Sequence, residues 1–247
     1  MSTCYRPGLY GKLPAYGDFV VRNLTPSFVN EWDIWMQQFM NGTQERIGTD
    51  WLDIYLTSPL WRFVLSSGVI DENVWAGIVM PSVDKVGRYF PFSIVLKLPA
   101  NINPLDFLSI KSGWFSEMET LALSALQGEI VLDELEQRLE SSPLMLDLSY
   151  RRVMHKKGMR DLYAEIDVEE PLPFSVYPQF LDYCLSETFS SYSVWTTEGS
   201  ERVAPCLFTT QHLPTMEKMS AMIDGQWHRW GCHQPYALAR DSNLDSK

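Results

Sequence analysis

The chain has 247 residues, 45% of them hydrophobic, 13% aromatic and 21% charged, a globular composition that predicts one hydrophobic core or two closely packed halves. Twenty Lys and Arg against 31 Asp and Glu give a formal net charge of −11, which disfavours nucleic acid and anionic membranes as partners because their phosphates are repelled. Cys4, Cys184, Cys206 and Cys232 form no CxxC pair, residues 1–13 lack the layout of a secretory signal, and apolar runs such as Phe90–Leu96 are too short to span a bilayer. Reduced thiols in a cytoplasm, without membrane insertion, are the expectation.

The opening segment Tyr5–Leu13 is apolar and carries Gly8 and Gly11, which marks a strand with a close backbone approach. Pro14-Ala15-Tyr16-Gly17 is predicted to turn and Asp18–Asn23 to return as a second strand, so a β-hairpin opens the domain. A helix follows, capped by Thr25 or Ser27 with Pro26 in its first turn. Phe28, Trp32, Trp35, Met36 and Phe39 fall on one stripe at helical spacing, and so many aromatics at that period are expected in the core.

Trp51–Tyr55 is predicted as a short helix, and Pro59–Phe63 leads into an apolar run that ends at Ser66-Ser67-Gly68. Val74–Met80 and Tyr89–Leu98 are the strongest strand pair, rich in β-branched and aromatic residues. The apolarity of Phe90–Leu96 predicts a central strand covered on both faces. Trp114, Met118, Leu121 and Ala125 predict one helix; Leu132, Leu135 and Leu139 predict another, whose outer surface is acidic because five acids between Glu129 and Glu140 face one Arg138.

Arg151, Arg152, Lys156, Lys157 and Arg160, with His155 among them, form the one basic cluster; a solvated face or a docking patch for an acidic partner would both account for it. The acidic, proline-bearing Glu165–Pro173 is the place where the chain could divide. Phe180–Leu185 reads as helix, Ser190–Thr196 and Val203–Thr209 as strands around Glu198-Gly199-Ser200-Glu201, and Met216–Ile223 as a last helix closed by Asp224-Gly225. Residues 1–239 are accordingly expected as a single domain, with a possible subdivision near 165–173, and 240–247 as a disordered tail.

Catalytic motifs are scarce. No G-x-S-x-G elbow occurs, and Gly8–Lys12 has the wrong spacing for a phosphate-binding loop. Cys206, His212, His228 and Cys232, with His233 to spare, could supply a tetrahedral zinc site, although the spacing is loose and the imidazoles lie beside Trp227 and Trp230. Incidental placement at the boundary of core and solvent explains them equally. Pro81–Pro91 sets Ser82, Asp84, Lys85 and Arg88 between two apolar strands. The charges either keep a hairpin end soluble or make a fixed recognition tip in which Asp84 and Arg88 take part.

Several blocks resemble the TagF family, proteins associated with the type VI secretion system of Gram-negative bacteria. The specific ones are Gly8-Leu9-Tyr10-Gly11-Lys12-Leu13-Pro14-Ala15-Tyr16-Gly17-Asp18-Phe19 and Val86-Gly87-Arg88-Tyr89-Phe90-Pro91. Ser58–Phe63, Ser193–Thr197, Gly199-Ser200 and Met222–Trp227 agree with it too, with Val194-Trp195 departing from an expected pair of aromatics. The resemblance implies an α+β fold, a mostly antiparallel central sheet flanked by helices and similar to longin domains. It further implies a cytoplasmic, non-enzymatic regulator that represses secretion after translation by binding the forkhead-associated scaffold protein, with no cofactor. In some relatives the domain is fused to a protein phosphatase; the residues here resemble the TagF-like part, so no phosphatase activity is expected of them. Ser82, Asp84, Lys85 and Arg88 are then the candidate partner-binding residues, with the acidic stretch Asp133–Glu140 and the basic stretch Arg151–Arg160 as other surfaces. The alternatives are a metal-dependent hydrolase built on Cys206, His212, His228 and Cys232, or a structural accessory subunit of the apparatus. Gly87 is expected to take a positive φ, and Gly11 and Gly17 to allow tight turns.

Overall fold

The structure, a computed structural model, describes residues 4–142, 144–146, 176–233 and 235. The basic cluster Arg151–Arg160, the Glu165–Pro173 stretch and the tail from Arg240 lie outside them.

The fold is α+β. Seven antiparallel strands form the main sheet in the order β3-β2-β6-β5-β4-β8-β9: β2 (Gly8–Gly11), β3 (Val20–Arg22), β4 (Trp61–Leu65), β5 (Val74–Met80), β6 (Phe92–Leu98), β8 (Tyr192–Thr197) and β9 (Cys206–Gln211). β1 (Cys4–Tyr5) pairs separately with β7 (Leu144–Met145). The expected strand Tyr5–Leu13 is therefore broken in two, and Pro7, which has no N–H to give a ladder, sits at the break. The predicted hairpin forms as β2 against β3, with Leu9 opposite Arg22 and Gly11 opposite Val20. The predicted pair β5 and β6 aligns Val74 with Leu98 and Met80 with Phe92 near the middle of the sheet.

Side chains alternate between two faces, and each face has its own core. Val74, Ala76, Ile78 and Met80 of β5 join Phe92, Ile94 and Leu96 of β6 on one side. Helices α3 (Pro104–Ile110), α4 (Ser112–Leu126) and α5 (Leu132–Ser141) cover them with Phe107, Phe115, Met118 and Leu135, and α6 (Val176–Thr188) packs against α3. On the other side Phe63, Trp75 and Trp195 meet α1 (Pro26–Ile47), α2 (Trp51–Leu56) and α7 (Met216–Asp224).

The aromatic stripe of α1 is core, as its spacing predicts. Thr25 caps the helix, and Trp32 is fully buried with its ring centroid 4.8 Å from that of Phe63. Buried indoles need acceptors. Trp32 donates to Ser93 Oγ (3.1 Å), Trp35 to the Pro214 carbonyl (3.0 Å) and Trp51 to Thr43 Oγ1 (2.9 Å).

α3 was not anticipated, because seven residues are too few to show a helical period. Its signal was the Asn103-Pro104 pair: the Asn103 carboxamide caps the amides of Leu105 and Asp106, and Pro104 takes the first turn. β9 starts at Cys206 rather than at Val203, since Pro205 cannot donate to β8.

Candidate functional site

Residues 81–91 connect β5 to β6 and fold back on the opening segment. Val83 pairs with Tyr89, the Asp84 amide donates to the Arg88 carbonyl (3.0 Å) and the Gly87 amide to the Asp84 carbonyl (3.0 Å). A three-residue connection, Lys85-Val86-Gly87, closes this small hairpin and needs a left-handed residue at its end. Gly87 supplies it with φ 85°.

Asp84 organises the loop from within. Its side chain is wholly buried, which corrects the expectation that its charge stands at an exposed tip. Oδ2 accepts from Lys12 Nζ at 2.8 Å and from Arg88 Nε at 2.6 Å; Oδ1 accepts the amides of Val86 (3.0 Å) and Arg88 (2.8 Å). Burial alone would raise the carboxyl's pKa. The Lys12 ammonium, the Arg88 amide and guanidinium and the Val86 amide outweigh that and hold it well below the usual carboxylate range.

Ser82 is buried as well. Its hydroxyl donates to the Lys12 carbonyl (2.7 Å), while Tyr55 of α2 donates to its carbonyl (3.1 Å) and accepts from its amide (3.0 Å). Lys85 is held through its backbone, whose amide donates to the Tyr16 carbonyl at 2.9 Å, and the Arg88 guanidinium also donates to the Gly17 carbonyl. Gly11 (φ 127°) lets this packing close, because a Cβ there would lie 2.0 Å from the Pro91 carbonyl oxygen. Gly17, by contrast, takes no left-handed φ and has open space around it.

Of the four residues assigned to partner binding, Ser82 and Asp84 are thus internal anchors, and Lys85 and Arg88 offer their side chains to solvent beside Val86, which is 68% exposed. Phe19 joins this surface: it is 46% exposed, its ring centroid lies 4.8 Å from that of Phe90, and Lys12 Nζ lies over it at 5.2 Å. Sequence reasoning missed Lys12 and Phe19. The available signal was a lone lysine inside the apolar run from Leu9 to Leu13, a position that a charge occupies only with a buried partner.

The acidic face of α5 is partly neutralised. Arg22 reaches Glu136 (2.5 Å), Arg138 reaches Glu134 (2.5 Å) and Arg6 reaches Glu140 (3.5 Å).

The cysteine and histidine set does not assemble. Cys206 opens β9 and His212 follows its last residue, so roughly 20 Å of strand separates them. His212 Nδ1 pairs with Ser191 Oγ at 2.7 Å. Burial pushes the Cys206 thiol up to about 11 and raises that of Cys232, the opposite of what a thiolate ligand requires. Among the described residues no group of three or more His, Cys, Asp or Glu is placed to hold a metal ion. Nor, among the described residues, is any helix long and apolar enough to cross a membrane. A narrow crevice behind the loop, about 20 Å³, is bounded by apolar side chains such as Trp35, Phe39, Trp61 and Met222, with Tyr55 and Ser58 as its polar members.

Comparison with known proteins follows the same lines. Residues 8–142 match the family described as TagF N-terminal domain, type VI secretion system-associated. The crystal structure of PA0076 from Pseudomonas aeruginosa PAO1 superposes with a TM-score of 0.73 at 33% sequence identity, covering 89% of this chain and 94% of that one. No curated protein gave a match. With more than half its length in the family match and a similar fold across nearly all of a solved relative, the chain belongs to the TagF family of type VI secretion system-associated proteins.

Proposed function

We propose that this chain is a cytoplasmic, post-translational repressor of type VI secretion that works by binding another protein, the forkhead-associated scaffold, and not by catalysis. The observation that carries the reading is the TagF match over residues 8–142, the stretch that contains both the opening hairpin and the Asp84 loop. Binding asks for a rigid surface. The Lys85–Arg88 tip has one, because a carboxylate bonded on four sides ties its backbone to Lys12, the residue after β2, and the Lys85 amide and Arg88 guanidinium tie it to Tyr16 and Gly17.

Capture of the purified scaffold by the full chain tests the reading. Lys85→Glu and Val86→Asp change the exposed tip and leave the Asp84 contacts in place, so both are expected to weaken capture at least about ten-fold with unchanged unfolding midpoints. Wild-type protein that does not bind the scaffold rejects the partner; normal binding by both variants moves the surface elsewhere. Asp84 itself is unsuited to this test, since reversing its charge would disrupt the loop.

A further inference from the structure

The two edges of the main sheet are unlike. β3 ends one side: it is three residues long, carries Arg22 bonded to Glu136 of α5, and stops at Asn23 with φ 50°. These are devices by which proteins blunt an edge against pairing. β9 ends the other side with six residues, Cys206-Leu207-Phe208-Thr209-Thr210-Gln211, without a charge or a proline and in unbroken register with β8.

Which of its groups are free follows from the ladder. The His212 amide donates to the Ser191 carbonyl, while Tyr192 turns its own amide and carbonyl to Ser66 on the other neighbour. In an antiparallel pair the direction alternates residue by residue. Cys206, Phe208 and Thr210 therefore bond to β8, and Leu207, Thr209 and Gln211 point their N–H and C=O groups away from the sheet. Among the described residues no backbone group pairs with these, and the one recorded contact is a 3.4 Å bond from Thr210 Oγ1 to the Gln211 carbonyl. Leu207 is 55% exposed.

We infer that β9 is a self-association edge, at which a second copy of this chain adds its own β9 antiparallel about a two-fold axis through Thr209. In that register Thr209 exchanges both backbone bonds with the second copy's Thr209, and Leu207 does so with the second copy's Gln211, so each outward donor meets an acceptor. The two-fold register favours this occupant, because one uncharged strand supplies both sides of the pair. Two chains of net charge −11 repel, and β9 is an edge they can join without setting formal charges opposite each other. Pairing β9 with the second copy's β3 would leave edges open and build a filament, and the short, charged β3 opposes it; the two-fold arrangement closes. A six-residue edge buries less than a standard interface, so the association is weak and depends on concentration.

Sedimentation of the full chain from about 1 to about 500 µM, the range in which sub-standard interfaces associate, tests the inference. The expected result is a shift from 28.5 kDa towards twice that mass. Thr209→Pro removes an N–H that the fold does not use and is expected to abolish the shift with an unchanged far-ultraviolet spectrum. Should that variant misfold, a charge pair decides: Thr209→Lys and Thr209→Glu each set like charges opposite each other and weaken association about five-fold, while a one-to-one mixture of the two restores it. A monomer at every concentration overturns the inference. So does a dimer that neither the proline nor the charge pair affects, which would place the contact elsewhere, and so does exclusive capture of a different strand-forming partner at β9.

Discussion

The Asp84 loop and helix α5 are both dense in charge, and the structure uses the two in opposite ways. In the loop the charge that organises the fold turns inward: Asp84 is fully buried against Lys12, itself 6% exposed, and this single carboxylate joins two segments 72 residues apart, while Lys85 and Arg88 stay at the surface. On α5 the charges turn outward, and the arginines that meet them are largely solvated, Arg6 and Glu140 being 58% and 65% exposed as side chains. A buried ion pair lacking one partner leaves an uncompensated charge in a poor solvent, whereas an exposed pair exchanges its partner for water at little cost. Charge in a sequence therefore does not by itself mark a recognition surface. The TagF-like block is rich in polar residues largely because it builds a junction, and what it presents to a partner is the short tip that this junction holds still.

If that contrast is right, damage should be severe at the junction and slight on the helix. The largest effect is expected from Gly11→Ala, because a methyl group there meets the Pro91 carbonyl oxygen at 2.0 Å and the residue keeps φ 127°. Backbone strain and overpacking together should cost about 4 kcal/mol, read as a lower urea midpoint with an unchanged slope. Lys12→Ala comes next. Removing one member of a buried pair costs about 3–5 kcal/mol, and the lower end applies since Arg88 and two amides still hold the carboxylate. A loss below about 1 kcal/mol would mean that the junction is held by packing alone.

How the sequence reports these regions follows from the range of the forces. Helical stripes and alternating strands are local, and α1, α4, α5 and the β5–β6 pair were legible from spacing; α2, α6 and α7 were expected too, as short helices without a full stripe. So was the positive φ of Gly87, a demand of the turn alone. What spacing could not reveal was which loop charge turns inward, because Lys12 and Asp84 meet only once β2 has paired with β6. The proposed metal set failed for a similar reason: residues close in sequence were placed at opposite ends of a strand. α3 was lost to its shortness, although its cap was written in Asn103-Pro104.

Acid separates the two regions more gently. The Asp84 carboxyl titrates well below the ordinary carboxylate value, so the unfolded chain takes up a proton before the folded one does. The stability it contributes is thus fully present above the ordinary value of about 4 and is lost as the pH falls from there towards the depressed folded value. The difference in unfolding free energy between wild type and Asp84→Asn should stay constant from pH 7 to about 4.5 and shrink below about pH 4. A difference that changes between pH 5 and 7 would assign the effect to some other group.

The smallest effect belongs to the helix. Glu140→Gln removes the 3.5 Å contact with Arg6, and Glu134→Gln removes an exposed pair one helical turn from Arg138. Each should change stability by less than about 0.5 kcal/mol, and less still in 0.5 M salt, where screening acts on solvated charges. The double variant should then be additive, because the two pairs share no partner. Salt is the sharper discriminator between regions: it should erase what Glu140→Gln does and leave the cost of Lys12→Ala almost intact, since water and ions reach Arg6 but not the Asp84 carboxylate. If salt rescued Lys12→Ala as well, the junction would have to be open to solvent, and the tip it positions could not be the rigid surface that binding requires.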